Sequence, residues 1–120
     1  MRTMRVTLFL VVLLLLAAGC GGGKKTGEAA LKLSDFAFKP VEIGGDPGQT
    51  MRLHLKNEGT VEHNLTVEGQ GIDRDLEPGQ STTVVVTIPP SDRVVYFFCK
   101  YHKSQGMTGL LGEGGYFPGG

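Results

Sequence analysis

A β-sandwich or barrel of antiparallel strands is the fold class that the sequence predicts, and three observations point to it. From Leu31 onward the apolar residues recur at every second position, the period of a half-buried strand. No stretch between 31 and 113 carries a convincing helical stripe. Turn signals rich in Gly, Pro and Asn recur about every ten residues, the spacing of an all-β domain.

Taken in order, Leu31 and Leu33 alternate with Lys32 and Ser34, and then the phase slips so that Phe36 and Phe38 take over. A one-residue slip turns side chains to the opposite face. It predicts a bulge or bend near residues 34–35 and a first strand shared between two sheets. Pro40 and the GGDPG run at 44–48 punctuate the chain. Met51, Leu53 and Leu55 alternate with Arg52, His54 and Lys56. After a turn at 57–59, Val61, His63, Leu65 and Val67 alternate with Glu62, Asn64 and Thr66. These two runs predict neighbouring strands joined by a short turn. A Glu77-Pro78-Gly79-Gln80 turn precedes a strand at 82–88, rich in β-branched residues, and Pro89-Pro90-Ser91 ends it. The last long strand is 94–99 (VVYFFC). Leu110-Leu111-Gly112-Glu113 runs straight into glycine, which predicts a short final strand.

The chain has 120 residues, enough for one domain, and 12 Lys+Arg against 12 Asp+Glu. That balance gives no basic footprint for nucleic acid. Residues 1–19 read as an export segment. Arg2 and Arg5 precede an apolar run over 6–16, and Ala17-Ala18-Gly19 supplies small residues before Cys20. The run is shorter than the about 20 apolar residues of a membrane-spanning helix. Losing Arg2 and Arg5 from the 12 basic residues leaves 10 against 12 acidic ones, a net of −2. Residues 20–30 (CGGGKKTGEAA) read as a flexible Gly-rich tether, 31–113 as the folded domain and 114–120 as a Gly-rich tail. Cys20 and Cys99, the two cysteines, lie in contexts too different to suggest a structural disulfide.

The chemistry gathers in Cys99-Lys100-Tyr101-His102-Lys103-Ser104-Gln105-Gly106-Met107, a C-x-x-H-x-x-x-x-M stretch. Cys99 falls at a strand end, on the face of Val95 and Phe97. Met107 sits in a polar loop, where core packing is a poor explanation for it. His63 shares a predicted inward face with Val61, Leu65 and Val67. Alone, it would read as a hydrogen-bonded core histidine. His54 alternates with Leu53 and Leu55 beside Arg52 and Lys56, so it faces solvent and has no metal role. A thiolate, two imidazoles and a distant thioether form the donor set of a blue-copper site.

These residues carry two resemblances. Leu16-Ala17-Ala18-Gly19-Cys20 resembles a bacterial lipobox, with Ala17 where Leu is usual. That implies lipidation of Cys20 and attachment to a membrane, facing the periplasm or the cell exterior. Residues 31–113 resemble a cupredoxin of the plastocyanin and pseudoazurin type, with its Greek-key β-sandwich. The resemblance rests on the 99–107 spacing, on Glu62-His63-Asn64-Leu65, on Glu77-Pro78-Gly79-Gln80-Ser81 and on Gly106-Met107-Thr108-Gly109. It implies one type 1 copper ion, with His63, Cys99 and His102 as strong ligands and Met107 as the long axial one. Asn64 would tie the two ligand segments together and hydrogen-bond near the Cys99 sulfur. His102 would be the electron port, with Lys100, Tyr101 and Lys103 forming a basic docking rim around it. The family's usual Pro before the second His is replaced by Tyr101.

The function expected is electron transfer by a monomer between a redox donor and a redox acceptor, without enzymatic activity. A copper-delivery protein is the alternative. A copper enzyme is disfavoured by the short chain and by the three histidines, His54, His63 and His102. A purely structural β-sandwich would leave the Cys, His and Met grouping unexplained.

Overall fold

The computed structural model describes residues 25–114. Nine strands form two sheets packed face to face. The strands are β1 (Gly27–Ser34), β2 (Ala37–Lys39), β3 (Glu42–Gly45), β4 (Thr50–Asn57), β5 (His63–Val67), β6 (Ile72–Leu76), β7 (Ser81–Thr87), β8 (Val95–Phe98) and β9 (Thr108–Glu113). One sheet has the order β2-β1-β4-β7 and the other β3-β9-β8-β5-β6. One 3-10 turn, Lys103–Gln105, interrupts the pattern.

Period-two alternation fixes which face each strand buries. In β4, Met51, Leu53 and Leu55 point inward and Arg52, His54 and Lys56 point out. Leu31 and Leu33 of β1 and Val84 and Val86 of β7 complete that inner face. The second sheet answers with Ile43, Leu65, Val67, Leu76, Phe97 and Leu111. Each large side chain so buried stabilises the fold by about 1.5–3 kcal/mol. Phe38 of β2 meets Phe97 of β8 edge-to-face across the sandwich, with centroids 5.0 Å apart and rings at 82°.

Four expectations need correction. The phase slip near Ser34 is a chain reversal. Asp35 and Phe36 form a two-residue turn, with Phe36 at φ 67°, and β2 folds back along β1 with Ser34 opposite Ala37. The first strand therefore stays in one sheet. It is β3, after the cis Lys39–Pro40 bond, that enters the other sheet.

Second, β4 and β5 are not a hairpin; they lie in different sheets. Asn57, fully buried at the crossing, explains why the link is stable. Its side-chain amide donates to the carbonyls of Val61 and Leu76, both at 2.9 Å, and its side-chain carbonyl accepts from Gly59 N–H at 2.8 Å. A buried polar side chain with every group paired costs little and pins the crossover.

Third, the sheets are mixed. β1 runs parallel to β4, and β3 runs parallel to β9. Between the members of each pair the chain visits the opposite sheet, so the second member can return in the same direction.

Fourth, the domain boundary moves. β1 begins at Gly27, with Gly27 through Leu33 paired to β4, so the part of the expected tether from that residue on is strand. The export segment at 1–19 and most of the tail lie outside the described residues. Gly114 itself donates to the carbonyl of Gly45 at 3.0 Å.

The final strand is longer than its glycines suggested. β9 spans six residues and is gripped on both edges, by β8 and by β3. The loop after Cys99 therefore returns to a firm support.

Candidate metal centre

β5 opens on His63, and β8 ends one residue before Cys99, so both donors stand at one end of the second sheet. The loop between Cys99 and Met107 is closed by its own backbone. His102 N–H donates to Cys99 C=O at 3.1 Å, and Gln105 N–H donates to His102 C=O at 2.9 Å. Gly106, at φ 85°, turns the chain in the left-handed region where an L side chain is strained. Cys99 N–H then donates to Met107 C=O at 3.1 Å, and Met107 N–H to His102 C=O at 3.3 Å. The thiol, one imidazole and the thioether are thus gathered by a ladder that needs no outside partner.

The two imidazoles meet through the same ring atom. His63 Nδ1 lies 3.2 Å from His102 Nδ1, and Cys99 Sγ lies 3.4 Å from His102 Nδ1. The ligand atoms of His63, Cys99 and His102 all fall within 4.8 Å of one another. His63, Cys99 and Met107 are fully buried, and His102 is partly exposed. Val61, expected beside His63 on an inward face, precedes β5 and is 41% exposed, while Leu65 and Val67 of β5 are buried as expected. His54 stands exposed on β4, with Nδ1 3.1 Å from Thr83 Oγ1 and Nε2 3.4 Å from Glu28.

Three residues against this cluster escaped the sequence reading. Asp35 Oδ1 lies 2.9 Å from His63 Nε2. Thr60 donates its N–H to Asp35 Oδ1 at 2.9 Å and its hydroxyl to Oδ2 at 2.6 Å. The Thr60 hydroxyl, then its N–H, then His63 hold the Asp35 carboxyl down at about 2. Phe36 sets its ring edgewise against His102, with centroids 5.0 Å apart, and against His63 at 6.4 Å. The visible signal for Asp35 and Phe36 was the phase slip, which marks the tight turn they form.

Asn64, fully buried, bridges the ligand segments. Its carbonyl accepts from Lys100 N–H at 3.2 Å and from the Thr66 hydroxyl at 2.7 Å. Its amide donates to Asp73 at 2.7 Å and Asp75 at 2.9 Å. It therefore reaches the backbone amide next to Cys99, while both its own N–H groups go to carboxylates of β6.

The same two carboxylates hold the loop from outside. Lys100 Nζ lies 2.9 Å from Asp73 and 3.5 Å from Asp75, and the Tyr101 hydroxyl donates to Asp75 at 2.8 Å. This corrects the expected basic rim at Lys100. Lys100 is matched by two carboxylates, and Lys103 stands over the Phe98 ring at 4.3 Å. Glu62 and Glu77 add negative charge nearby, close enough that a hydrogen bond with Glu62 raises the Glu77 carboxyl. β6 carries too little apolar character to announce itself in sequence, which is why Asp73 and Asp75 were missed.

A pH dependence follows with two limbs. Hydrogen bonding to Lys100 lowers Asp73, and hydrogen bonding to Asn64 and then Tyr101 lowers Asp75. Below about pH 4, the ordinary range for Asp, the unfolded chain takes up protons before the folded one does. The stability these groups contribute is present above that range and is lost as pH falls through their folded values. Tyr101 is raised to about 12, chiefly by its hydrogen bond to Asp75. Its contribution is complete below the ordinary Tyr range near 10 and is lost as pH rises through about 12. Urea midpoints measured across pH should show both limbs. Tyr101→Phe should flatten the alkaline limb and also shrink the Asp75 share of the acid one, which loses the Tyr101 hydrogen bond; an unaltered alkaline limb would count against this account.

The chain matches the Cupredoxin-like domain family over residues 6–110. It belongs to that family. Among solved structures, this cupredoxin is similar to the dithionite-reduced auracyanin of the photosynthetic bacterium Roseiflexus castenholzii. The identity is 21% and the TM-score 0.58, over 77% of this chain and 98% of the auracyanin. Auracyanin A of Chloroflexus aurantiacus, a "blue" copper protein, matches at 15% identity and TM-score 0.56, over 72% of this chain and 99% of that one. A copper-containing nitrite reductase from Thermus scotoductus matches at 14% identity and TM-score 0.57, over 74% of this chain but 28% of the reductase. At these identities the likeness is one of fold. No curated protein matches the chain in sequence.

The donor set fits copper. A thiolate and a thioether are soft donors suited to the cuprous ion, and imidazole suits either oxidation state; three of the four donor residues here are fully buried. His63, Cys99, His102 and Met107 of this cupredoxin are arranged for a single copper site.

Proposed function

We propose that this cupredoxin is a single-copper electron carrier, exported and held at a membrane surface by a lipid on Cys20. One observation carries the reading: a buried thiol and two imidazole Nδ1 atoms converge within 4.8 Å on a β scaffold, and His102 alone of these three reaches the surface. Copper bound there would supply one-electron exchange between its cuprous and cupric states.

The protein's part is to keep the donors where they are through that exchange. The backbone ladder from Cys99 to Met107 restrains the three loop donors, the Asn64 bridge ties that loop to β5, and the Asp35 contact restrains His63. Sites whose supporting shell is locked in this way reorganise little. Burial of Cys99 and Met107 excludes water from the soft donors, which also argues against a delivery protein that must release its ion readily.

His102 would serve as the electron port. Phe36 and Tyr101 flank it and are 42% and 45% exposed, so the surface a donor or acceptor meets there is aromatic more than basic. Donor and acceptor would be redox proteins at the same membrane surface, taking turns at this patch, with the cupredoxin acting as a monomer.

The deciding experiment is titration of the metal-free protein with Cu(II). One equivalent should produce an intense visible thiolate-to-copper band that a reductant bleaches and an oxidant restores. A colourless complex would reject the proposal.

A further inference from the structure

An imidazole can present either ring nitrogen to a metal, and the partner of the other nitrogen decides which. At His63 that partner is unusually well defined. We propose that Asp35 is a positioning residue of the copper site. Its carboxylate holds His63 with the proton on Nε2 and the Nδ1 lone pair turned to the donor cluster, and its charge favours the cupric over the cuprous state. The proposal rests on the copper reading above and names a residue that tunes that site.

Three observations carry it. An ionised carboxylate only accepts hydrogen bonds. The 2.9 Å contact from Asp35 Oδ1 therefore requires a proton on His63 Nε2, and in the neutral ring, the form that can ligate a metal, this leaves the lone pair on Nδ1, which faces His102. Asp35 is itself immobilised, because Thr60 grips both of its oxygens with the N–H and the hydroxyl. The room for the pair is built in. A side-chain carbon on Gly59 would collide with Asp35 Oδ1 and come within 2.6 Å of His63 Nε2. The turn at 35–36 and the crossover at 57–60, distant in sequence, thus meet to hold one carboxylate against one imidazole.

The chemical consequence goes beyond orientation. A neutral acceptor would fix the same tautomer. A carboxylate also raises the basicity of the ring it binds, and outer partners of this kind change metal affinity by about 10–100-fold. The added negative charge acts more strongly on the doubly charged ion than on the singly charged one. Asp35 is 34% exposed, so solvent screens part of this effect and the lower end of that range applies.

Asp35→Asn separates charge from shape. The Asn carbonyl can replace Oδ1 towards His63 and the Thr60 N–H, and its amide can donate to the Thr60 hydroxyl. Cupric affinity should fall about tenfold relative to cuprous affinity, which raises the reduction potential by about 59 mV. An unchanged potential in this variant would overturn the charge effect. The positioning effect is read without copper, from the nitrogen-15 shifts of His63 in the metal-free protein. Wild type and Asp35→Asn should both show the Nε2–H form, and Asp35→Ala a mixture. A wild-type ring protonated on Nδ1, or an Asp35→Ala ring as uniform as wild type, would overturn positioning. A protein that takes up no copper would fail the proposed function, while the nitrogen shifts would still decide the role of Asp35.

Discussion

Cys99→Ala should abolish the intense visible band of the cupric protein while leaving the fold intact. The band requires a thiolate donor, and Cys99 is the free cysteine among the described residues. It is fully buried, its sulfur lies 3.4 Å from His102 Nδ1, and its backbone is paired with Met107. Alanine keeps that backbone pairing and removes a single heavy atom. The cost should resemble that of other one-atom core deletions, about 1 kcal/mol. Loss of colour with an almost unchanged urea midpoint in the metal-free protein is therefore the signature expected. Because a coordinating thiol must lose its proton, wild-type affinity should also weaken towards acid, and the Cys99→Ala protein should lack that component. A variant that stayed intensely blue would show that some other donor makes the band.

Phe97→Ala should be the most destabilising single change in the core. Phe97 is 1% exposed, and it joins the sheets by standing edge-on to Phe38. Its neighbours across the strands are Gly109 of β9 and Val67 of β5, so its loss leaves a void bordered by three strands. Phe-to-Ala changes at such positions cost about 3–5 kcal/mol, of which the aromatic pair supplies about 0.5–1.5 kcal/mol. Against a typical total of about 5–15 kcal/mol, that is enough to leave a sizeable unfolded fraction. Tyr96, next along the same strand and 54% exposed, is the control. Truncating it should shift stability by no more than about 0.5 kcal/mol. Equal midpoints for the two variants in chemical denaturation would contradict the burial pattern. The effect on the metal centre should follow, because Phe97 lies two residues before Cys99 on the strand that delivers it.

The donors were legible because their signal is local. Cys99, His102 and Met107 share a nine-residue loop, and the backbone hydrogen bonds that gather them run within it. The strands β4, β5, β7 and β8 were legible because each buries one face, and that imposes a period of two. β3 and β6 were not. β3 is four residues with two glycines, and β6 exposes its three central residues, so neither has an inward face long enough to read. The hairpin at 34–37 shows in the sequence only as a phase slip. A slip of one residue looks the same in sequence whether the chain bends onward or turns back.

By itself, the sequence determined the all-β class, the position of the main strands and the spacing of a Cys, a His and a Met on one loop. Tertiary structure decided the rest, through contacts between segments far apart in the chain. Which strands share a sheet depends on the buried Asn57 crossing, whose partners Val61 and Leu76 lie up to 19 positions away. Asp35 reaches His63 across 28 positions, and Lys100 reaches Asp73 across 27. Periodicity describes only how one segment meets the core, so no periodic signal could report these pairings. They nevertheless set the charge around the copper site. Lys100, read as part of a basic rim, is matched by carboxylates from another strand, and His63, read as a metal ligand, leans on an aspartate from the first turn.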